Sequence, residues 1–303
     1  MRVLVTGATG QVGGALARAV APEGIELVTV GRDRLDLARP GTIDGALDSI
    51  RPDIVVNPAA YTAVDKAETE PDLARAVNAE GPGALAAACS ERRVGLIHLS
   101  TDYVFDGSGI RPYRPDDPVA PLGVYGATKQ AGERAIRQVL EDHLILRTAW
   151  VYAARGQNFV STMLRVGADR DVLRVVADQH GTPTAAVDIA AAILAILAAR
   201  RDGTVLTGTH HYTAEGTTTW HGMAEAIFAR AAVHWGRRPV VEAITTEQYP
   251  TPAARPAYSV LDNSSLDAVV AVPRRPWQEA LDAVLDDRLG PRPVSPAVME
   301  GTR

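Results

Sequence analysis

The sequence predicts an α/β protein built on a doubly wound parallel sheet. Three observations predict it. Short β-branched runs alternate with Ala-rich runs of helical length, the apolar runs lack the alternation of half-exposed strands, and the first run ends in a glycine cluster leading into a helix. RVLVTG supplies the first strand and GGALARAVA the first helix. ELVTV, a short helix around Ile43 to Ser49, and the strand DIVVN follow. LARAVNAEGPGALAAACSERR then reads as a helical run, and GLIHLS as the fourth strand. VLV, LVTV and IVVN are apolar on both faces, as central strands covered by helices on either side must be.

After Arg147 the rhythm loosens. Loops surround Gly156 and Gly181, a Thr-rich segment containing Trp220 spans 204 to 221, and prolines punctuate 239 to 256. The stretch Ala185 to Ala199 is the most apolar of the chain, but Asp188 interrupts it and it falls short of the roughly 20 residues needed to cross a bilayer. It reads as a core helix. The organisation expected is a nucleotide-binding domain over 1–150 and a smaller lobe over 151–289, with some segments of the latter returning to the first domain. Residues 290–303 form a tail too poor in apolar residues to dock.

At 303 residues, 46% hydrophobic and 22% charged, the chain is long enough for a full core and too apolar for extended disorder. A net charge of -5 offers no basic footprint for nucleic acid or anionic membrane. Cys89 is the only cysteine, which excludes a disulfide framework and a cysteine zinc site. It is expected as a small buried residue. The start MRVLVTG lacks the features of a secretion signal, so a cytoplasmic location is expected. The seven histidines, including the adjacent His210 and His211, show no metal-ligand spacing and are taken as structural or exposed, and no metal is expected.

RVLVT runs directly into Gly7-Ala-Thr-Gly10-Gln-Val-Gly13 and then a helix, the context in which a glycine fingerprint marks a Rossmann dinucleotide site. Gly7 permits the tight turn, Gly10 lets backbone approach a pyrophosphate, and Gly13 lets the helix pack against the strand. ELVTV ends in Gly31-Arg32 where NAD sites usually carry a carboxylate. Arg32 suits a 2'-phosphate, making NADPH the expected cofactor; Asp33, one residue on, leaves NADH open.

The fourth strand ends in Ser100-Thr101-Asp102-Tyr103, and a later helix begins Tyr125-Gly-Ala-Thr-Lys129. Four residues apart on a helix, Tyr125 and Lys129 share one face, so an ammonium sits near a phenol and near a bound cofactor's ribose. A free phenol, with a pKa of about 10, needs such a neighbour to exchange protons at neutral pH. Thr101, at the carboxyl end of a central strand, is placed to hydrogen-bond a substrate carbonyl.

Together these features resemble the extended short-chain dehydrogenase/reductases. Further stretches are similar to signatures of the dTDP-4-dehydrorhamnose reductase family: NPAAYTAVDKAE, STDYVFDG, YGATKQAGE, RTAWVY, GQNFV, DQHGTPT and RPAYSVLDNSSL, spread over roughly residues 1 to 285. The resemblance implies reduction of C4 of a dTDP-4-keto-6-deoxyhexose by reduced nicotinamide, with the tyrosine protonating the alkoxide. It implies Thr101, Tyr125 and Lys129 as the catalytic group. It puts Gly7, Gly10, Gln11, Val12, Arg32, Asp36, Leu37, Ala59, Ala60 and Tyr61 at the cofactor, with Asp36 and Leu37 near adenine. Val64, Asp102, Tyr103, Trp150, Asn158, Gln179 and Arg255 would face the sugar nucleotide, Trp150 as a flat platform and Arg255 as a diphosphate partner.

Three departures from the family pattern stand out. Pro58 replaces the usual Ala after the third-strand asparagine, without removing a functional group. Ala15 stands where some relatives carry a glutamate that helps hold magnesium between subunits, so a homodimer, which stays open, is not expected to be metal-bridged. Ala127 replaces a common lysine. A dehydratase would need a second carboxylate after Thr101, where Tyr103 stands. An epimerase using the same Tyr and Lys remains an alternative, as does a non-catalytic subunit like the relative that partners methionine adenosyltransferase. Which deoxyhexose is taken, with rhamnose as the expected product, is not legible from motifs.

Overall fold

Six parallel strands make the central sheet: β1 (Arg2–Val5), β2 (Glu26–Thr29), β3 (Ile54–Asn57), β4 (Gly95–Thr101), β5 (His143–Thr148) and the segment Gly208–His211. The computed structural model describes residues 1–291, so most of the expected tail lies outside the described residues. Across the sheet the order is Gly208–His211, β5, β4, β3, β1, β2. The chain therefore reverses direction of travel between β1 and β3, and the crevice beyond the carboxyl ends of those two strands is where such sheets bind ligands. Every residue of β3 and β4 is buried, as the unbroken apolar runs require.

Alternation along the strands divides the apolar side chains between two layers. Val3, Val5, Ile54, Val56, Ile97 and Leu99 face helix α1 (Gln11–Arg18) and the helix Ala186–Arg201. Leu4, Val55 and Leu96 face the opposite layer, built from α2 (Gly41–Ile50) and the longer helices described next. The helical run expected after the third strand is real but not uniform. Following the short α3 (Val64–Ala67) come α4 (Pro71–Arg75), a π-helical turn over Ala76–Glu80, and α5 (Gly81–Arg92). The Ala-rich stretch Ala186–Arg201 is a buried core helix: Ile189, Ile193, Ile196 and Leu197 are fully enclosed, and Asp188 pairs with Arg275. Among the described residues no helix is long and apolar enough to cross a membrane.

A second core lies beyond the sheet. Helices Phe159–Asp169, Trp220–Trp235 and Trp277–Leu289 close around Phe228, Ile227, Leu281 and Trp277, with the parallel strand pair Val172–Val176 and Val240–Ile244 alongside. The latter half of the chain thus feeds both cores. Cys89 is fully buried among Leu85, Ala86 and Ile136, and loss of solvent pushes its thiol up to about 12.

Helix α6 (Val124–Val139) carries ionisable groups into this interior. Glu133, fully buried, accepts from Arg147 Nε and Nη2 on β5 at 2.8 and 2.7 Å. Burial pushes the Glu133 carboxyl up, but the hydrogen bonds and charge of Arg147 prevail and hold it below its ordinary range. A carboxyl depressed by folding stabilises the protein above its unfolded pKa, and that contribution fades as pH falls through the folded value. Glu133→Gln should leave Arg147 buried without its counter-charge and cost about 3–5 kcal/mol in urea denaturation. A loss below about 1 kcal/mol would show that Arg147 finds another partner.

Candidate active site

The crevice at the carboxyl ends of β1 and β3 opens into a cleft of about 630 Å³, within the usual size of a small-molecule site. Its floor at one end is the glycine loop. Gly7 adopts φ +61°, and a Cβ there would also press on Ala59 at 3.1 Å. Gly10 is the N-cap of α1, its amide donating to Gly7 O at 2.8 Å. Gly13 packs under the loop, where a Cβ would meet Gly7 O at 2.1 Å. With no side-chain cap on α1, the first amides of that helix point into the cleft as an anion site.

Along the second-strand side the cleft is bounded by Arg32, Asp36 and Leu37. Arg32 is exposed and makes no ion pair among the described residues, whereas the Asp36 carboxylate is turned onto the amide of Ala38 at 3.0 Å. Ala59, Ala60 and Val64 line the adjoining wall. The π turn explains how that wall is held. It swings Asn78 toward the loop, where its Oδ1 accepts from Tyr61 N at 2.8 Å and its Nδ2 donates to Tyr61 O at 3.0 Å.

At the other end Thr101, Asp102, Tyr103, Tyr125 and Lys129 converge. Helix α6 reaches them because Gly126 lets it touch the Tyr103 loop; a Cβ there would lie 2.1 Å from Tyr103 O. The Tyr125 and Tyr103 rings meet edge to face, centroids 5.5 Å apart. Burial pushes the Tyr125 phenol up to about 12, with its contact to the Thr101 side chain pulling the other way. Thr101 Oγ1 donates to Asp102 Oδ1 at 3.0 Å, and burial raises the Asp102 carboxyl to about 6. Lys129 is 2% exposed; burial lowers its ammonium to about 8, against the pull of Glu133. On this same stretch of wall the Ser100 hydroxyl lies against the Glu133 carboxylate and the Asp102 carboxyl against Ser259, whereas Thr148 Oγ1 is buried without a hydrogen-bond partner among the described residues.

The second core supplies the far wall. Trp150, in the left-handed region at φ +47°, stacks flat on Trp220 at 3.6 Å and backs onto Gly181, where any Cβ would meet its indole at 2.3 Å. Asn158 caps the helix Phe159–Asp169 through Ser161 and donates from Nδ2 to Gln11 Oε1 at 3.0 Å, tying the two sides of the cleft. Val12 completes the floor.

Four expected residues lie off the cleft wall. Gly13 acts from beneath the loop. The Tyr61 hydroxyl donates to Glu70, so that residue contributes its backbone position. Gln179 is buried and holds Trp220 Nε1 at 3.1 Å and Thr246 at 3.0 Å, one step behind the aromatic wall. Arg255 is paired with Asp65 at 2.8 Å. Conversely, Trp220, Phe159, Ser100 and Thr148 line the cleft without having been singled out. Only Trp220 carried a signal, a tryptophan next to the N-cap Thr219. Ala15 is buried in the α1 layer and offers no ligand to a metal. Among the described residues no group of three His, Cys, Asp or Glu side chains could hold one.

The model of the RmlD substrate binding domain matches residues 1–289. The chain belongs to the dTDP-4-dehydrorhamnose reductase family. It is 47% identical over 281 residues to the dTDP-4-dehydrorhamnose reductase of Streptomyces griseus, covering 92% of this chain and 91% of that one. The Burkholderia thailandensis enzyme of that name is 44% identical over 299 residues, covering 95% and 99%. The solved dTDP-4-dehydrorhamnose reductase of Bacillus anthracis, in complex with NADP, superposes with a TM-score of 0.86 at 35% identity, covering 94% of this chain and 99% of that one. Gly126→Ala should push the start of α6 off Tyr103 O and displace the phenol by a fraction of an ångström or more. Turnover is expected to fall roughly 100-fold with the far-UV circular dichroism unchanged; full activity would show that α6 yields elsewhere.

Proposed function

We propose that the chain is a cytoplasmic, NADPH-dependent 4-ketoreductase of a dTDP-4-keto-6-deoxyhexose, with dTDP-4-dehydro-L-rhamnose as substrate and dTDP-L-rhamnose as product. The observation that carries the reading is the convergence of Thr101, Tyr125 and Lys129 on one cleft with the glycine loop of β1. NADPH fits the residues present: a cradle that side chains would fill at Gly7, the first amides of α1, and an exposed Arg32 at the second-strand edge. Bound there, it supplies the hydride. Dependence on a pool of reduced nicotinamide nucleotide supports the cytoplasmic location.

Tyr125 gives its proton to the C4 oxygen as negative charge develops on it. Lys129 stabilises the phenolate left behind, the ammonium and phenol sharing one face of α6. Thr101 orients the ketone through its hydroxyl. The aromatic wall of Trp150 and Trp220 gives a hexose a flat apolar surface, and Asp102 and Thr148 on the wall supply polar groups for its hydroxyls. The second core is thereby the substrate lobe.

The test is NADPH oxidation with dTDP-4-keto-6-deoxyglucose, with and without the 3,5-epimerase that makes the rhamnose precursor. Oxidation only with epimerase, reduced at least about 1,000-fold in Tyr125→Phe, is the expected outcome. Oxidation without epimerase would move the substrate to another deoxyhexose, turnover without net NADPH use would mean an epimerase, and silence with NADPH bound would sink the reading in favour of a non-catalytic subunit. Arg32→Ala should raise the KM for NADPH by about 10- to 100-fold and leave NADH unaffected, from the loss of a charge-assisted contact to the 2'-phosphate. An equal effect on both cofactors would remove Arg32 from that role.

A further inference from the structure

Three residues outside the expected constellation form a row across the sheet. Side chains alternate along a strand, and Thr6, Asn57 and His98 have the same parity as Leu4, Val55 and Leu96, so all three face the α6 side. The register places them side by side: Asn57 is opposite His98, and Thr6 N donates to Val56 O at 3.0 Å. All three are fully buried. Thr6 Oγ1 lies 2.6 Å from Asn57 Oδ1, Asn57 Nδ2 lies 3.0 Å from His98 Nδ1, and His98 Nε2 lies 3.1 Å from Lys129 Nζ. The row begins beneath the glycine loop and ends on the lysine.

Hydrogen counting constrains this row. An ammonium has three donors and no acceptor, and a neutral imidazole has one of each. If Asn57 presents its NH₂ to Nδ1, the ring hydrogen must sit on Nε2, facing the ammonium donor to donor. Turning the amide by 180°, which preserves its shape, puts Oδ1 on an Nδ1–H and frees the Nε2 lone pair for Lys129. Thr6 then accepts from Nδ2. The lysine also donates to Leu99 O at 2.7 Å, so two of its hydrogens are held by β4 and the third is left for the cleft. Thr6, Asn57 and His98 are fully buried, so they bring no protons in from bulk solvent. Their effect is on where the ammonium sits and how readily it keeps its charge.

We propose that His98 is a positioning residue for Lys129, held by Asn57 in the Nδ1–H tautomer so that its Nε2 accepts from the buried ammonium. The proposal rests on the reductase reading for its catalytic meaning and on the geometry for its existence. Burial, and then the charge of Lys129, keep His98 from protonating at neutral pH, so the ring is available as an acceptor. The other ionisable groups around the lysine are Tyr125 and Glu133 on α6, Arg147 on β5, which is engaged by Glu133, and Asp102 and Tyr103 beyond β4. None of them substitutes for the imidazole, because none is within hydrogen-bond distance of Nζ among the described residues.

The chain has only two lysines, Lys66 and Lys129, so lysine labelled with carbon-13 at Cε gives two signals that can be titrated without turnover. Lys66 is exposed and serves as the internal reference. His98→Asn reaches only as far as Nδ1 and removes the acceptor; His98→Gln reaches as far as Nε2 and restores it. The expected result is a Lys129 midpoint about one pH unit lower in His98→Asn than in the unaltered chain, with most of the shift recovered in His98→Gln. Nitrogen-15 spectra of the unaltered chain, which need no variant to fold, should show His98 as the Nδ1–H tautomer at pH 7. An Nε2–H tautomer, or a Lys129 midpoint indifferent to His98→Asn, would overturn the proposal. Both readouts stand whether or not the chain reduces a sugar nucleotide, so failure here is distinct from failure of the reductase reading.

Discussion

Burial of charge on the inner face of α6 is the constraint around which this protein is arranged. Tyr125, Lys129 and Glu133 follow one another at four-residue intervals, and a helix with that stripe can be packed against a sheet only if the sheet answers each group. It does so with a carbonyl and an imidazole for Lys129 and a guanidinium for Glu133. The close approach that makes those contacts possible is bought with two glycines, Gly126 against Tyr103 O and Gly132 against Asn78 O. Neither position tolerates a side chain without moving the helix that carries the reacting phenol.

The two cores contribute in different ways. Apart from His98 and the charged stripe of α6 with its partner Arg147, buried polar atoms of the sheet concentrate where the strands stop, at Thr6, Asn57, Ser100, Thr101 and Thr148. The second core meets this edge through few contacts of specific chemistry, such as Asn158 with Gln11 and Arg255 with Asp65. An aromatic wall on one side and a row of strand-end hydroxyls on the other define a cleft that is apolar on one flank and hydrogen-bonding on the opposite one.

Much of this is legible in the sequence because the responsible patterns are local. The glycine loop follows a strand within seven residues, and Tyr125 and Lys129 sit one helical turn apart. The parallel sheet shows in apolar runs without alternation. What was hidden is long-range. No local pattern reveals that His98 meets Lys129, since the contact depends on strand register and on which face of β4 turns to α6. The departure from a simple helix at Ala76–Glu80 leaves no trace in propensity, because Ala76, Ala79 and Glu80 favour a helix without marking where a π turn falls. Tyr61 and Arg255 were expected to face ligand from their motifs, yet their polar ends are engaged by Glu70 and Asp65, acidic neighbours whose reach is set by loop geometry. Gln179 acts through Trp220, a relation that exists only once the second core has folded.

The π turn has a consequence in terms of helical phase. A turn closed from i to i+5 holds one residue more than an α-turn, so the face presented by α4 and the face presented by α5 are out of step by about 100°. Asn78 sits at the slip and grips both polar atoms of the Tyr61 backbone, while α5 beyond it buries Leu85 and Cys89 in the α2 layer. Removing a single residue there would restore an uninterrupted helix. It would then have to choose between aiming Asn78 at the loop and aiming its apolar side at the core. The extra residue is what lets one helical run serve two neighbours whose directions do not match.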